Sequence, residues 1–189
     1  MAKVGLEYVV SALLTEAEDG TPSYTEGRHW GPASTFNGAP TANDVKDYGD
    51  NGVTETDTSV TGGTLAVELN ERTLELESFL LGHVYDKETG VMKCNRDDIA
   101  PFLGTGAVGM SKRNNKYIHT AKWYFKTQFK NPNDDNTTKQ ESTTFNHSNF
   151  EGNLFMLQNG DWKEEKEFDN LADAKAWIDE KAGITAAAS

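Results

Sequence analysis

Four histidines, a single cysteine and a few neighbouring carboxylates are the side chains in this sequence with reactive chemistry to offer. His29, His83, His119 and His147 show no HxH, HExxH or Cys/His spacing that seats a metal ion, and they read as surface or core histidines. Cys94 lies beside Lys93 and close to Arg96, cations that lower a thiol pKa. A nucleophile also needs a base and an oxyanion donor, which no motif around Cys94 provides. Adjacent Asp97 and Asp98 read more simply as a turn or acidic face than as half of a glycosidase pair. The stretch DYGDNG, Asp47 to Gly52, begins with an acid and has glycine sixth, as a calcium loop does. Position three is Gly49 and position twelve is Thr58, where an oxygen ligand and a bidentate glutamate belong, so calcium is not expected. GxSxG, SxxK and P-loop motifs are absent. Gly104-Thr-Gly106 lacks the third glycine and following helix of a dinucleotide fingerprint. The residues predict no catalysis, no metal and no cofactor.

Bulk properties narrow the field further. A chain of 189 residues is about the size of one domain, and a single domain over 1–189 is expected. Thirty acids against 18 bases give a net charge of −12, with no dense basic run to displace counterions from a nucleic acid backbone. With Cys94 alone no intrachain disulfide forms, which fits a reduced compartment. The opening MAKVGLEYVV does not resemble a secretory leader and no run of eighteen apolar residues occurs, so no membrane partner is expected. The sequons at Asn136 and Asn146 then read as chance.

The elements that must position these residues are mostly strands. Leu6, Tyr8, Val10, Ala12 and Leu14 alternate on one face of an opening strand. Thr21 to Gly63 is rich in Gly, Pro, Thr, Asn and Asp and shows no clear element over more than forty residues. TLAVELN then places Leu65, Val67 and Leu69 on a core face and Thr64, Ala66, Glu68 and Asn70 on a polar one. Apolar spacing predicts a helix over 71–81, ended by Gly82. DKETG is a turn, and a glycine-spaced strand follows, bent at Gly104 or Gly106. Asn114-Asn115 leads into the longest strand, in which Tyr117, His119, Ala121, Trp123, Phe125, Thr127 and Phe129 share a face; Trp123 and Phe125 are expected core. Residues 117 to 129 would span roughly 43 Å. A polar excursion from Asn131 precedes a return strand, and NLFMLQ with DWKEEKEF reads as a hairpin about Asn159-Gly160. Asp169 or Asn170 caps a last helix with Leu171, Ala174, Trp177 and Ile178 as its stripe, and a loose tail occupies about 184–189. The fold class expected is mainly β, an antiparallel β-sandwich or split barrel with a flanking helix and a C-terminal helix.

The order of KVGL, YGDNGVTET, GGTLAVELNE, FLLGHVYD, DDIAPFLGTGAVGM and KYIHTAKWYFKTQFKNP resembles the major tail tube proteins of long-tailed, non-contractile bacteriophages and related prophages, over roughly residues 3 to 160. The resemblance implies a structural virion protein, made in the host cytoplasm, whose copies form hexameric rings with strands pairing across subunits. The rings stack into a tail tube, the conduit for DNA ejection. It also implies a tape-measure protein in the lumen, tail terminator and tip proteins at the ends, and DNA that passes without specific binding. Six copies at −12 give about −72 formal charges per ring, which would repel phosphate. Thr64, Ala66, Glu68 and Asn70 are the lumen-facing candidates; Lys122 and Lys126 run against a uniformly acidic wall and would pair with acids of a neighbour. A long flexible loop at about 41–62 matches the family's ring-stacking loop, with Asp47, Tyr48, Gly49, Asp50, Asn51, Gly52, Val53 and Glu55 as its contacts. A carbohydrate-binding sandwich of a tail-tip or host-recognition protein is the alternative.

Overall fold

The computed structural model describes residues 2–43, 45–49, 52–57, 59–133 and 148–184. The chain is mainly β and antiparallel, with two helices. Its strands are β1 (Ala2–Glu16), β2 (Pro22–His29), β3 (Ala33–Ala42), β4 (Val45–Gly49), β5 (Gly52–Asp57) and β6 (Val60–Leu69). After helix α1 (Leu74–Leu81) come β7 (Val84–Asp86), β8 (Val91–Lys93), β9 (Leu103–Arg113), β10 (Lys116–Phe129), β11 (Ser148–Phe155), β12 (Lys163–Phe168) and helix α2 (Leu171–Lys181).

The long strand organises the rest. Asn114 and Asn115, at φ 48° and 63°, make the left-handed two-residue turn that joins β9 to β10. Fourteen residues make β10 long enough to carry two neighbours in series on its other edge. β12 pairs with His119 to Tyr124 and β11 with Lys126 to Phe129. The expected hairpin between NLFMLQ and DWKEEKEF is therefore corrected: the turn is present, with Leu157 N–H donating to the Asp161 carbonyl, but its two strands pair with β10 instead of each other. The eight strands form one continuous sheet, β2-β1-β9-β10-β11-β6-β3 with β12 also on β10, and its two parts, a first layer β2-β1-β9-β10-β12 and a second layer β11-β6-β3, share a core.

Two cores result. Val9, Leu103, Ala107, Tyr124 and Phe129 meet Leu65, Val67, Leu69, Phe150 and Leu154 between the layers, with Leu76, Phe79, Leu80 and Leu81 of α1 joining them. Val10, Ala12, Val108, Ala121 and Trp123 face α2, which buries Ala174 and Ile178 against them. Full burial of a side chain such as Leu65 or Phe150 contributes about 1.5–3 kcal/mol. Gly104 and Gly106 serve this second core by having no side chain: a Cβ at Gly106 would lie 2.5 Å from Trp123 Cε3 and 2.8 Å from Ile178 Cδ1.

Because both faces of the first layer are covered, strict alternation fails as a guide there. Pairing of β10 with β9 shifts register between Tyr124 and Thr127, and a one-residue shift sends following side chains to the opposite face. Trp123 lies under α2 while Phe129 lies between the layers, so the expected single core face of this strand divides in two. Leu6 and Val10 are likewise split by a shift between Leu6 and Tyr8. The stretch 21–63 holds β2 to β5 and the start of β6 in place of a long loop; β2 and β3 are half-exposed strands with too few apolar residues to announce a period.

The helix ends are specified locally. Thr73 Oγ1 accepts from Leu76 N–H, and Gly82 at φ 75° closes α1 with its N–H on the Ser78 carbonyl. Asn170 caps α2 by accepting from Asp173 N–H, and Gly183 turns the chain at φ 67°.

Candidate functional site

The second layer presents one face to the core, and no described element covers the other. Registers place Glu68 between Asn149 and Thr35, Ala66 between Glu151 and Asn37, and Thr64 between Asn153 and Ala39. These nine residues form the outward face of β11-β6-β3, and none of them is buried. Val67, Leu65, Phe150, Leu154 and Phe36 take the inward positions. The bare face carries two charges, Glu68 and Glu151, and no lysine or arginine. Three of the four expected lumen candidates, Thr64, Ala66 and Glu68, lie on it. Asn70 lies just past the end of β6, its N–H bonded to the Pro32 carbonyl. The six partners on β3 and β11 were missed by the sequence reading, although the alternation Asn149, Glu151, Asn153 against Phe150, Gly152, Leu154 was available to find half of them.

Beyond this face, β3 is an edge. It pairs with β6 on one side and with no described strand on the other, and its ten residues, ASTFNGAPTA, include no charge. The other two edges are protected in the usual ways. β2 carries Glu26 and Arg28 and an irregular register with β1; β12 is KEEKEF, laced by Lys122–Glu165 at 3.3 Å, Lys181–Glu164 at 2.6 Å and Arg113–Glu167 at 3.0 Å.

Between β3 and β6 the chain forms a further hairpin, the arm. β4 and β5 continue the β3 and β6 strands as a separate two-stranded ladder, Val45 opposite Asp57 and Gly49 opposite Gly52. The loop expected at 41–62 is thus a paired hairpin over its described residues. Threonines at 54 and 56 suit a strand, but the sparse apolar residues hid the period. Asp47, Tyr48, Gly49, Gly52, Val53 and Glu55 lie in these strands; Asp50 and Asn51 lie outside the described residues.

Lysines 122 and 126 find their acids within the chain: Lys122 Nζ reaches Glu165, and Lys126 Nζ reaches Glu16 Oε2 at 2.7 Å and stands 4.7 Å from the Phe102 ring. The expected pairing with a neighbour is corrected accordingly. The Lys126 hydrogen bond, followed by the Gln158 N–H, holds the Glu16 carboxyl below its usual pKa.

The residues with reactive chemistry are scattered. His83 is a staple: Nδ1 donates to Asp98 Oδ2 at 2.7 Å and Nε2 meets Asn131 Oδ1 at 2.9 Å. Burial opposes its charge, yet the bonds to Asp98 and Asn131 and the Asp98 carboxylate raise its pKa above 6.5. The His29 ring lies 5.0 Å from that of Tyr8, tilted by 52°, and the Tyr8 hydroxyl donates to Asp179 of α2 at 2.8 Å. His119 is buried in β10, and His147 lies outside the described residues. Cys94 is exposed. Among the described residues no three His, Cys, Asp or Glu side chains converge as a metal site would require, and no helix is long and apolar enough to cross a membrane. Trp30 and Trp123 are buried, which removes them as stacking platforms for a sugar. The sequons and the polar excursion fall wholly or partly outside the described residues.

The chain matches no family model and no curated protein sequence.

Proposed function

We propose that this chain is a structural subunit that assembles with copies of itself into stacked rings, a tube through which DNA passes, and that it catalyses no reaction. The observation that carries the reading is the contrast between the two layers. The first has its outer face covered by α2; the second, among the described residues, leaves uncovered a face of Thr, Asn and Ala whose only charges are Glu68 and Glu151. Proteins hold nucleic acid chiefly by placing Lys and Arg on phosphates and releasing counterions. A wall with no cation among its described residues offers phosphate nothing to bind, and its polar groups stay hydrated, which suits a lumen that DNA must slide through. The uncharged edge of β3 supports the same reading, because a neighbouring copy that extends the sheet there removes the exposed edge, and a ring closed in this way has none. Tape-measure, terminator and tip proteins belong to this proposal as the partners a finite tube needs.

Negative-stain electron microscopy of the purified chain at high concentration tests it. Rings or hollow tubes of uniform bore are expected; a protein that stays monomeric in sedimentation at all concentrations, with or without phage tail partners, would refute it.

A further inference from the structure

Acids outnumber bases in this chain, yet its positive charge gathers in one place. Lys112, Arg113 and Lys116 are three bases within five residues, and no other five consecutive residues hold three. They flank the Asn114-Asn115 turn at the tip of the β9–β10 hairpin, Lys112 opposite Tyr117 and Arg113 opposite Lys116. All six residues from 112 to 117 are exposed, Tyr117 at 52 %, with Lys112 Nζ 5.8 Å from the centre of its ring. β12 stops short of the tip, its Phe168 opposite His119. The described acids nearest in register are set back from it: Glu7 and Glu167 on the flanking strands and Asp169 just past β12. Arg113 takes Glu167 at 3.0 Å, while Lys112 and Lys116 have no ion pair among the described residues.

The opposite end of the fold has the complementary character. β10 runs from the tip for fourteen residues, roughly 46 Å at ~3.3 Å each. Past its far end Gln128 Nε2 donates to the Ala100 carbonyl at 2.7 Å and Asn131 Oδ1 meets His83 Nε2 at 2.9 Å, which ties the α1–β7–β8 segment there. From 71 to 98 this segment carries seven acids against four bases. Ion pairs match Glu75 with Lys87 and Arg28, Glu77 with Arg72, Asp97 with Arg96 and Asp98 with His83. Glu71, Asp86 and Glu88 remain, all exposed, and Lys93 is the one base of the segment not so matched among the described residues. Leu74, Val84, Val91 and Ile99 are exposed beside them, between 44 % and 80 %. The Lys87–Glu75 pair, at 2.6 Å, sets the β7–β8 turn against the first turn of α1, which brings Asp86, Glu88 and Val91 toward Glu71 and Leu74. A Cβ on Gly82 would collide with the Ile99 carbonyl, so Ile99 lies next to Val84 at the other end of α1.

We propose that the β9–β10 tip of one copy docks on the α1–β7–β8 end of the next, Tyr117 against the exposed apolar side chains and Lys112 and Lys116 against Glu71, Asp86 and Glu88. An exposed apolar patch marks a contact surface, and an aromatic anchor inside a charged rim is the usual anatomy of one. Between copies that each carry −12, this contact brings unlike charges together, which orients the encounter and speeds it. Tip and seat lie at opposite ends of one chain, so the contact is heterologous and repeats head to tail. The inference rests on the tube reading for the identity of the partner, a second copy, and it uses neither the 41–62 stretch nor the β3 edge.

A water-soluble carbodiimide reads the contact in the native chain. It couples an amine to a carboxylate already beside it: the amide C–N bond forms as a carboxylate oxygen leaves on the carbodiimide, which ends as its urea. Mass spectrometry should find Lys112 or Lys116 joined to Glu71, Asp86 or Glu88. With ends roughly 46 Å apart in one chain, such a link joins two copies. Lys112→Glu with Lys116→Glu should remove these links and slow assembly roughly tenfold or more at unchanged circular dichroism. Glu71→Lys with Glu88→Lys should do the same, although net repulsion alone would make that less acidic chain assemble faster. The chain carrying all four reversals should assemble again. Tubes without these links, or assembly indifferent to both pairs of reversals, overturn the contact while the tube reading stands. Linked head-to-tail multimers that never become rings or tubes overturn the tube reading and keep the contact; a native chain with neither links nor tubes overturns both.

Discussion

A chain of hydroxyls crosses the first layer, and its direction can be worked out from proton counts. Thr127 Oγ1 donates to the Leu103 carbonyl at 3.0 Å. Having one proton, it must accept in its 2.8 Å contact with Thr105. Thr105 then accepts from Ser11 at 2.9 Å, and Ser11 accepts from Trp30 Nε1 at 2.9 Å. All four donors are buried, with Ser11, Thr105 and Thr127 wholly inaccessible. Removing any one hydroxyl orphans the single donor upstream of it: Ser11→Ala strands Trp30, Thr105→Val strands Ser11, and Thr127→Val strands Thr105. A stranded buried donor costs about 1–3 kcal/mol. Each single variant should therefore lose about 2 kcal/mol, roughly a 30-fold drop in the folding constant. The triple variant also strands one donor, Trp30, so it should lose about as much as one single variant and not the sum of three. Urea denaturation of the unassembled chain, followed by tryptophan fluorescence and circular dichroism, measures all four proteins. A triple variant whose loss equals the sum of the singles, about 6 kcal/mol on these values, would refute the directional chain.

Arg72→Ala should be among the most destabilising changes away from the apolar core. The guanidinium bonds Glu77 through Nε at 2.7 Å and Nη2 at 2.5 Å, and the Glu77 side chain is 5 % exposed; stranding that carboxylate costs about 3–5 kcal/mol. Denaturation with Arg72→Ala and Arg72→Ala/Glu77→Leu checks it, the double variant recovering much of the loss. The His83 staple predicts a pH dependence of definite sign. Its native pKa is raised above 6.5, so the native state binds the proton more tightly than the unfolded chain. The resulting stability is complete below about pH 6.5 and is lost as pH rises through the native value. The urea midpoint of the native chain should fall across that window relative to a His83→Gln variant, and parallel profiles would count against the staple.

Much of the fold was legible because some elements declare themselves locally. Leu65, Val67 and Leu69 alternate against Thr64, Ala66 and Glu68 in a strand with one wet face, so period two survives intact. Gly82, Asn170 and Gly183 mark helix ends by side-chain and φ chemistry that acts within a few residues, whereas the start of α1, expected at 71, lies at Leu74 after the Thr73 cap. Asn114 and Asn115 announce their turn for the same reason. The β4–β5 hairpin escaped notice because a ladder of backbone hydrogen bonds can form without an apolar period, and from 45 to 57 the sequence offers only Val45, Tyr48 and Val53 as sizeable apolar residues.

By itself, then, the sequence determined the strand-rich class, the caps, the long β10 and the acidity of the whole. Only the tertiary structure decided which strands meet on β10, how register shifts divide its side chains between two cores, and that Thr35, Asn37, Ala39, Asn149, Glu151 and Asn153 join Thr64, Ala66 and Glu68 on one cation-free face. These are pairings between residues dozens of positions apart. They depend on which burial satisfies the most apolar surface and backbone donors at once, and no local window of sequence contains that comparison.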